Sequence, residues 1–204
     1  MALHTATAII DLAALSNNYR LIRSLSPKAK ILAVLKANGY GHGLELIAKA
    51  LPNADAFGVA RIDEALALRA AGIVKPIVLL EGFFAQEDIA ILAANNLQTI
   101  VHNEQQLTAI VNAKLDTPLK IWLKIDTGMH RLGINPEQLL QFYQALSQSK
   151  NVQQSIVLMS HLGCADEKNN SATAQQISLF DELTADFLLE KSLANSAGVL
   201  LWPQ

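Results

Sequence analysis

Short apolar runs rich in β-branched residues recur along this chain and alternate with stretches whose apolar positions repeat at helical spacing. The strand-like runs are TAIID (7–11), KILAVLK (30–36), AFGVA (56–60), PIVLL (76–80), QTIV (98–101), LKIWLKID (119–126), SIVLMSH (155–161) and SLAN (192–195). Between them, Leu12, Leu15, Tyr19 and Ile22 mark one face of a helix over 12–24. The segment RIDEALALRAA (61–71) is rich in helix formers and stops at Gly72. Asn103 with Gln106 predicts a capping box, and Asn135-Pro136 an N-cap followed by proline at the first helical position. Residues 172–190 read as the last long helix.

Strands alternating with helices predict βαβ units and a parallel sheet. Two architectures satisfy that pattern, a doubly wound open sheet and a (β/α)8 barrel. In both, ligands bind at the C-terminal ends of the strands, so chemistry is to be sought there. Eight strand candidates suggest a complete barrel, yet 204 residues fall short of the roughly 250 that such a barrel takes. No linker-like stretch or composition shift divides the chain, so one domain over 1–204 is expected. The end, SLANSAGVLLWPQ, is apolar where a finished domain usually closes on a polar surface segment, and a piece of a longer protein is expected.

Charge and composition narrow the partners. The chain is 51% hydrophobic and 17% charged, with a net charge of -2. No cluster of Lys and Arg forms the footprint of a nucleic-acid binder. No uncharged apolar run approaches the roughly 18 residues of a membrane span. The start, MALHTATAIID, lacks the basic and long apolar parts of a signal peptide. The single cysteine, Cys164, has no internal disulfide partner, so a cytoplasmic protein is expected.

Four stretches carry candidate chemistry. In ILAVLKANGYGHG (31–43), Leu32, Val34 and Lys36 share a strand face, and Lys36 is its last member. Desolvation at a strand end favours the neutral amine, which can attack a carbonyl and hold a Schiff base. Gly39, Gly41 and Gly43 let backbone approach a ligand, and a helix is expected to start near 42–44. The same residues also read as a snorkelling lysine before an ordinary turn. In LKIWLKIDTGMHRLG (119–133), Lys124 and Asp126 share the face opposite Leu119, Ile121, Leu123 and Ile125. If the apolar face meets helices, Lys124 and Asp126 point inward. Arg131 follows on a loop opened by Gly128, with a planar fork suited to a carboxylate or oxyanion. The alternative is an edge strand with a solvated polar face. In LMSHLGCADE (158–167), His161 ends an apolar strand and fits a core or a catalytic histidine. Cys164 lacks partners at metal-ligand spacing. In LANSAG (193–198), Asn195, Ser196 and Gly198 suit a phosphate loop or a plain helix cap.

Taken together these stretches are decisive. VLKANGYGHG (34–43) resembles the pyridoxal-phosphate attachment signature of the alanine racemases. LKIDTGMHRLG, SHLGCADE and LANSAG are similar to further blocks of that family, in order along the chain. The resemblance implies a pyridoxal 5'-phosphate enzyme that interconverts L- and D-alanine and supplies D-alanine for peptidoglycan. It implies that Lys36 carries the cofactor and is the catalytic base for the D-alanine face. Tyr40, Ser196 and Asn195 would lie around the phosphate. Arg131 would contact the phenolic oxygen of the cofactor and the substrate carboxylate, and His161 would lie beside the pyridine ring. Lys124 matches a lysine that is carbamylated in several members and supports that arginine.

The family fold is a barrel followed by a β-rich domain, assembled as a head-to-tail homodimer. The segment 7–11 is expected to pair with the second domain, which leaves seven barrel strands here. The tyrosine acting as the opposite-face base belongs to that domain of the partner subunit, so this chain is expected to hold one base of two and to racemise poorly alone. Three positions depart from the common pattern: Leu162 for phenylalanine, Gly163 for alanine and Gly198 for alanine. A non-catalytic cofactor-binding barrel and a cofactor-free Schiff-base aldolase are the competing readings. The blocks around Tyr40 and Arg131 argue against the first, and the phosphate-type loops against the second.

Overall fold

The structure, a computed structural model, describes residues 6–202. Seven short strands form one sheet: β1 (Leu32–Val34), β2 (Ala56–Val59), β3 (Ile77–Leu79), β4 (Gln98–Val101), β5 (Ile121–Lys124), β6 (Val157–Met159) and β7 (Glu190–Ser192). They lie side by side in chain order, every neighbouring pair parallel. Helices fill each connection, as parallel strands require. Of the two architectures that the alternation left open, the strand order in chain sequence is that of the barrel, here in seven strands.

The sheet has two apolar faces. Phe57, Val59, Leu79, Ile121, Leu123 and Leu158 belong to a large cluster shared with helix residues such as Leu68, Leu92 and Phe142. Each such large side chain taken from water contributes on the order of 1.5–3 kcal/mol. The opposite, inner face carries Val78, Ile100 and Met159, packed with Leu32, Leu80 and Trp122. Gly58 sits on that inner face, where a Cβ would stand 3.1 Å from Leu80 Cδ1. At the N-terminal end of the inner face Glu190 pairs with Lys30, before β1, and with Lys120 Nζ at 3.0 Å. The helices Leu12–Leu25 and Ser196–Leu201 also touch. The sheet therefore curls until its two ends approach one another.

Three expected elements differ. Residues 7–11 form no strand: Ile9 is exposed and Asp11 instead caps the helix Leu12–Leu25, accepting from Ala13 N at 2.9 Å and Ala14 N at 3.0 Å. An extended segment without a neighbour has no ladder to join. The last long helix runs Ser171–Thr184 and ends six residues before 190. There Thr184 Oγ1 donates back to Phe180 O at 2.7 Å, and Phe187 and Leu189 turn in toward the core. β7 consequently lies at Glu190–Ser192, because Asn195 is already the N-cap of the next helix. Among the described residues no helix is long and apolar enough to cross a membrane.

Candidate active site

Alternation along the strands decides what reaches the mouth of the part-barrel. Trp122 and Met159 are inner-face residues, so Lys124 and His161 continue that face at the C-terminal ends of β5 and β6. Leu35 is buried in the outer cluster, and Lys36 beside it is half-buried. The positive charges of Lys36, Lys124 and Arg131 all bear on His161. Burial first, then those three cations, push His161 down to a pKa of about 4, so its ring is neutral at ordinary pH. Lys36, Lys124 and Arg131 thus lie near enough to His161 for their charges to reach it.

Lys36 is followed by an unusual piece of backbone. Ala37, Asn38, Gly39 and Tyr40 all have positive φ, at 52°, 54°, 62° and 54°, and Gly41 follows at 84°. This is a full left-handed turn, closed by Gly39 N to Leu35 O at 2.8 Å and Gly41 N to Ala37 O at 2.9 Å. For Ala37 and Tyr40 the conformation costs about 1–2 kcal/mol each. Glycine accounts for part of the turn, but two strained residues must be held by their surroundings. Two bonds do so: Asn38 N donates to Glu64 Oε1 at 3.0 Å, and Leu44 N donates to Asn38 Oδ1 at 2.9 Å. The turn carries Tyr40, 57% exposed, outward on the loop that Lys36 begins.

Lys124 is 6% exposed and lies among the buried residues. Burial lowers its pKa to about 8, the Arg131 charge lowers it further within that value, and Asp126 works against both. Asp126 does not point at the site as the strand pattern suggested. Its Oδ1 accepts from Gly128 N at 2.9 Å and His130 N at 3.0 Å, and its Oδ2 meets His130 Nδ1 at 3.1 Å. It is the organiser of the loop that presents Arg131. The loop closes where Ile134 N donates to Lys124 O and Asp126 N to Ile134 O, both at 2.9 Å. Gly133, at φ 144°, is needed there: a Cβ would stand 2.8 Å from Ile125 C.

Asn195 accepts from Gly198 N at 2.9 Å and donates Nδ2 to Leu162 O at 3.2 Å, which ties the β7 loop to the β6 loop. Ser196 follows it, exposed. Two of the unusual positions touch one another, since a Cβ on Gly198 would lie 3.1 Å from Leu162 Cδ1. The third, Gly163, is held by its amide, which donates to Gln176 Oε1 at 2.9 Å. Cys164 is half-buried and free, and among the described residues no group of three or more potential metal ligands exists.

His102 was not singled out from sequence. It follows β4, whose Val101 pairs with Leu123, so it stands next to Lys124 across the ladder. Its Nε2 lies 3.1 Å from Glu81 O. Burial lowers its pKa, and the Lys124 charge adds to that. The signal was present, since QTIVH ends on a histidine as SIVLMSH does, but Asn103 drew the segment to a helix cap.

The chain is thus a parallel part-barrel with two lysines, an arginine and a histidine near its C-terminal strand ends, the end at which barrels of this architecture place their sites. The profile of the family described as "Alanine racemase, N-terminal domain" matches residues 10–204. The chain belongs to the alanine racemase family. It is 56% identical over 199 residues to an alanine racemase of Vibrio vulnificus, covering 98% of this chain and 56% of that one. It superposes on the biosynthetic alanine racemase of Pseudomonas aeruginosa with TM-score 0.91 and 40% identity, over 95% of this chain and 54% of that one. A histidine racemase of Leuconostoc mesenteroides is also similar, at TM-score 0.86 and 29% identity, over 95% and 54% of the two chains. The chain spans little more than half the length of these relatives.

Proposed function

We propose that the protein carrying this chain interconverts L- and D-alanine with pyridoxal 5'-phosphate, as an isomerase. What supports the reading most is the gathering of Lys36, Lys124 and Arg131 around a neutral His161, in a chain of the alanine racemase family. The residues fit the cofactor. Lys36 offers a primary amine for its aldehyde, the exposed hydroxyls of Tyr40 and Ser196 suit its phosphate, and Arg131 suits a phenolate oxygen and a substrate carboxylate. An uncharged imidazole at His161 would suit an aromatic ring, since it brings no charge to solvate.

Bound pyridoxal phosphate supplies an electron-withdrawing ring that acidifies the substrate α-hydrogen. Lys36 would hold the cofactor through its side-chain amine, and that amine, once the substrate amine has displaced it, would take or return the α-proton on the D-alanine face. Arg131 orients the carboxylate through its planar fork. Lys124 backs the arginine, and a pKa of about 8 leaves a neutral fraction of its amine open to carbamylation near pH 7. Asn195 holds the loop on which Ser196 stands. Residues 1–204 act as the cofactor-binding barrel domain. The opposite-face base is a tyrosine of a β-rich domain of the partner subunit in a homodimer, and this chain alone racemises poorly. The product serves peptidoglycan in the cytoplasm.

The likeness to a histidine racemase favours a second reading, a racemase for a larger side chain on the same scaffold. Both are tested by incubating the purified gene product with pyridoxal phosphate and L-alanine or L-histidine and measuring the D-isomer with an oxidase. The first reading expects D-alanine, and a loss of at least about a hundredfold in Lys36→Ala, as for removal of a general base. Preferential turnover of histidine supports the second. No D-isomer from either amino acid contradicts both.

A further inference from the structure

We propose that Glu64 is a positioning residue for the site, a clamp whose carboxylate ties the end of β2 to the left-handed turn after Lys36. It rests on the reading of Lys36 as the cofactor lysine.

Glu64 lies in the first turn of the helix Ile62–Ala70. A glutamate there ordinarily turns back to free amides at the start of its own helix. Its Oε2 does so, accepting from Ala60 N at 3.1 Å and Arg61 N at 3.3 Å. Its Oε1 does something else: it leaves its own βα unit and accepts from Asn38 N at 3.0 Å. Asn38 is two residues after Lys36 and in the middle of the strained turn. One carboxylate thereby fixes three amides on two βα units.

The chain of bonds continues. Asn38 Oδ1 accepts from Leu44 N, and Asn38 O accepts from Gly43 N, both at 2.9 Å, so the clamp reaches the start of the helix Leu44–Ala50. Lys36 and Tyr40 flank the clamped residue on either side. The turn contains two residues that favour the right-handed region, so it needs a restraint from outside itself. Glu64 is the described side chain from another βα unit that bonds to the backbone of the turn. Only a carboxylate accepts at both oxygens. A glutamine offers one acceptor and must abandon either the strand end or the turn, and an aspartate is one methylene too short to span them.

Two measurements on the full gene product test this. The first is amide exchange of cofactor-free protein, followed at Asn38 and Leu44. The clamp expects Glu64→Gln to speed exchange at both while the melting temperature and exchange in β5 and β6 stay near wild type. The second is reductive trapping of pyridoxal phosphate on Lys36, read by peptide mass against cofactor concentration. Half-saturation should rise by on the order of tenfold, the factor carried by one hydrogen bond to a charged group. Ala37→Gly, which relieves the positive-φ strain at one of the two strained positions without touching any of these bonds, should restore part of the loss in the Glu64→Gln protein.

Wild-type exchange at Asn38 in the variant overturns the proposal. So does a trapping loss that follows a general loss of stability and is not rescued by Ala37→Gly. Failure of the wild-type protein to trap at Lys36 sinks the cofactor reading instead, and the exchange arm then decides the clamp by itself.

Discussion

Arg131 stands close enough to Lys124 for its charge to join burial in holding the Lys124 amine at a pKa of about 8. A buried cation that feels a second one is costly unless something anionic joins them, and Asp126, the nearby carboxylate, is already bonded within its own loop. The arrangement suits a site that receives an anionic group.

Lys124 should make stability rise with pH in the alkaline range. Its folded pKa of about 8 lies below the ordinary lysine value of 10.5, so between those values the unfolded chain binds more protons than the folded one. Below pH 8 both states are protonated and the folded state bears the full penalty, roughly 3 kcal/mol by the size of the shift. Thermal melts of the wild type and of Lys124→Met should differ most below pH 8, with the variant the more stable. The gap should narrow toward pH 10.5. A pH-independent gap contradicts the assignment.

His161 should titrate near pH 4 by NMR, far below an ordinary histidine. Removing a neighbouring cation, in Arg131→Ala, should raise that midpoint. Because the folded pKa is the lower, the unfolded chain takes up the proton first, and stability is lost as pH falls from about 6.5 to about 4. A midpoint near 6.5 would mean that the ring is neither buried nor beside the cations.

Gly133→Ala should destabilise the protein and disturb the arginine loop together. The residue adopts φ 144°, and an added Cβ would crowd the backbone of Ile125 and Asp126. A loss of about 2–4 kcal/mol in urea unfolding is expected from strain of that kind. Restoration of a wild-type midpoint would show that the loop relaxes freely and does not hold Arg131 in place.

Much of this architecture was legible in the chain. Apolar runs such as PIVLL and QTIV mark strands because both faces of a parallel sheet are covered, and six of the eight runs contain the observed strand. SLAN misplaced β7 because its asparagine serves the next helix, and TAIID has no neighbouring strand among the described residues to pair with. The lysine at 36 and the histidine at 161 were found because they end such runs. The left-handed turn was not legible, since Ala37 and Tyr40 adopt it against their own preference and one of the bonds that hold it comes from Glu64, far along the chain. His102 was hidden for a similar reason: its meaning comes from the register of β4 on β5, which no local pattern states.

The proposed function stands or falls on Lys36 as the residue that carries pyridoxal phosphate. The most direct measurement is to mix the purified gene product with the cofactor, reduce with borohydride and map the label by peptide mass. The account predicts label confined to Lys36 and lost in Lys36→Arg. Label scattered over exposed lysines such as Lys49, Lys168 and Lys191, unchanged by that substitution, would contradict it.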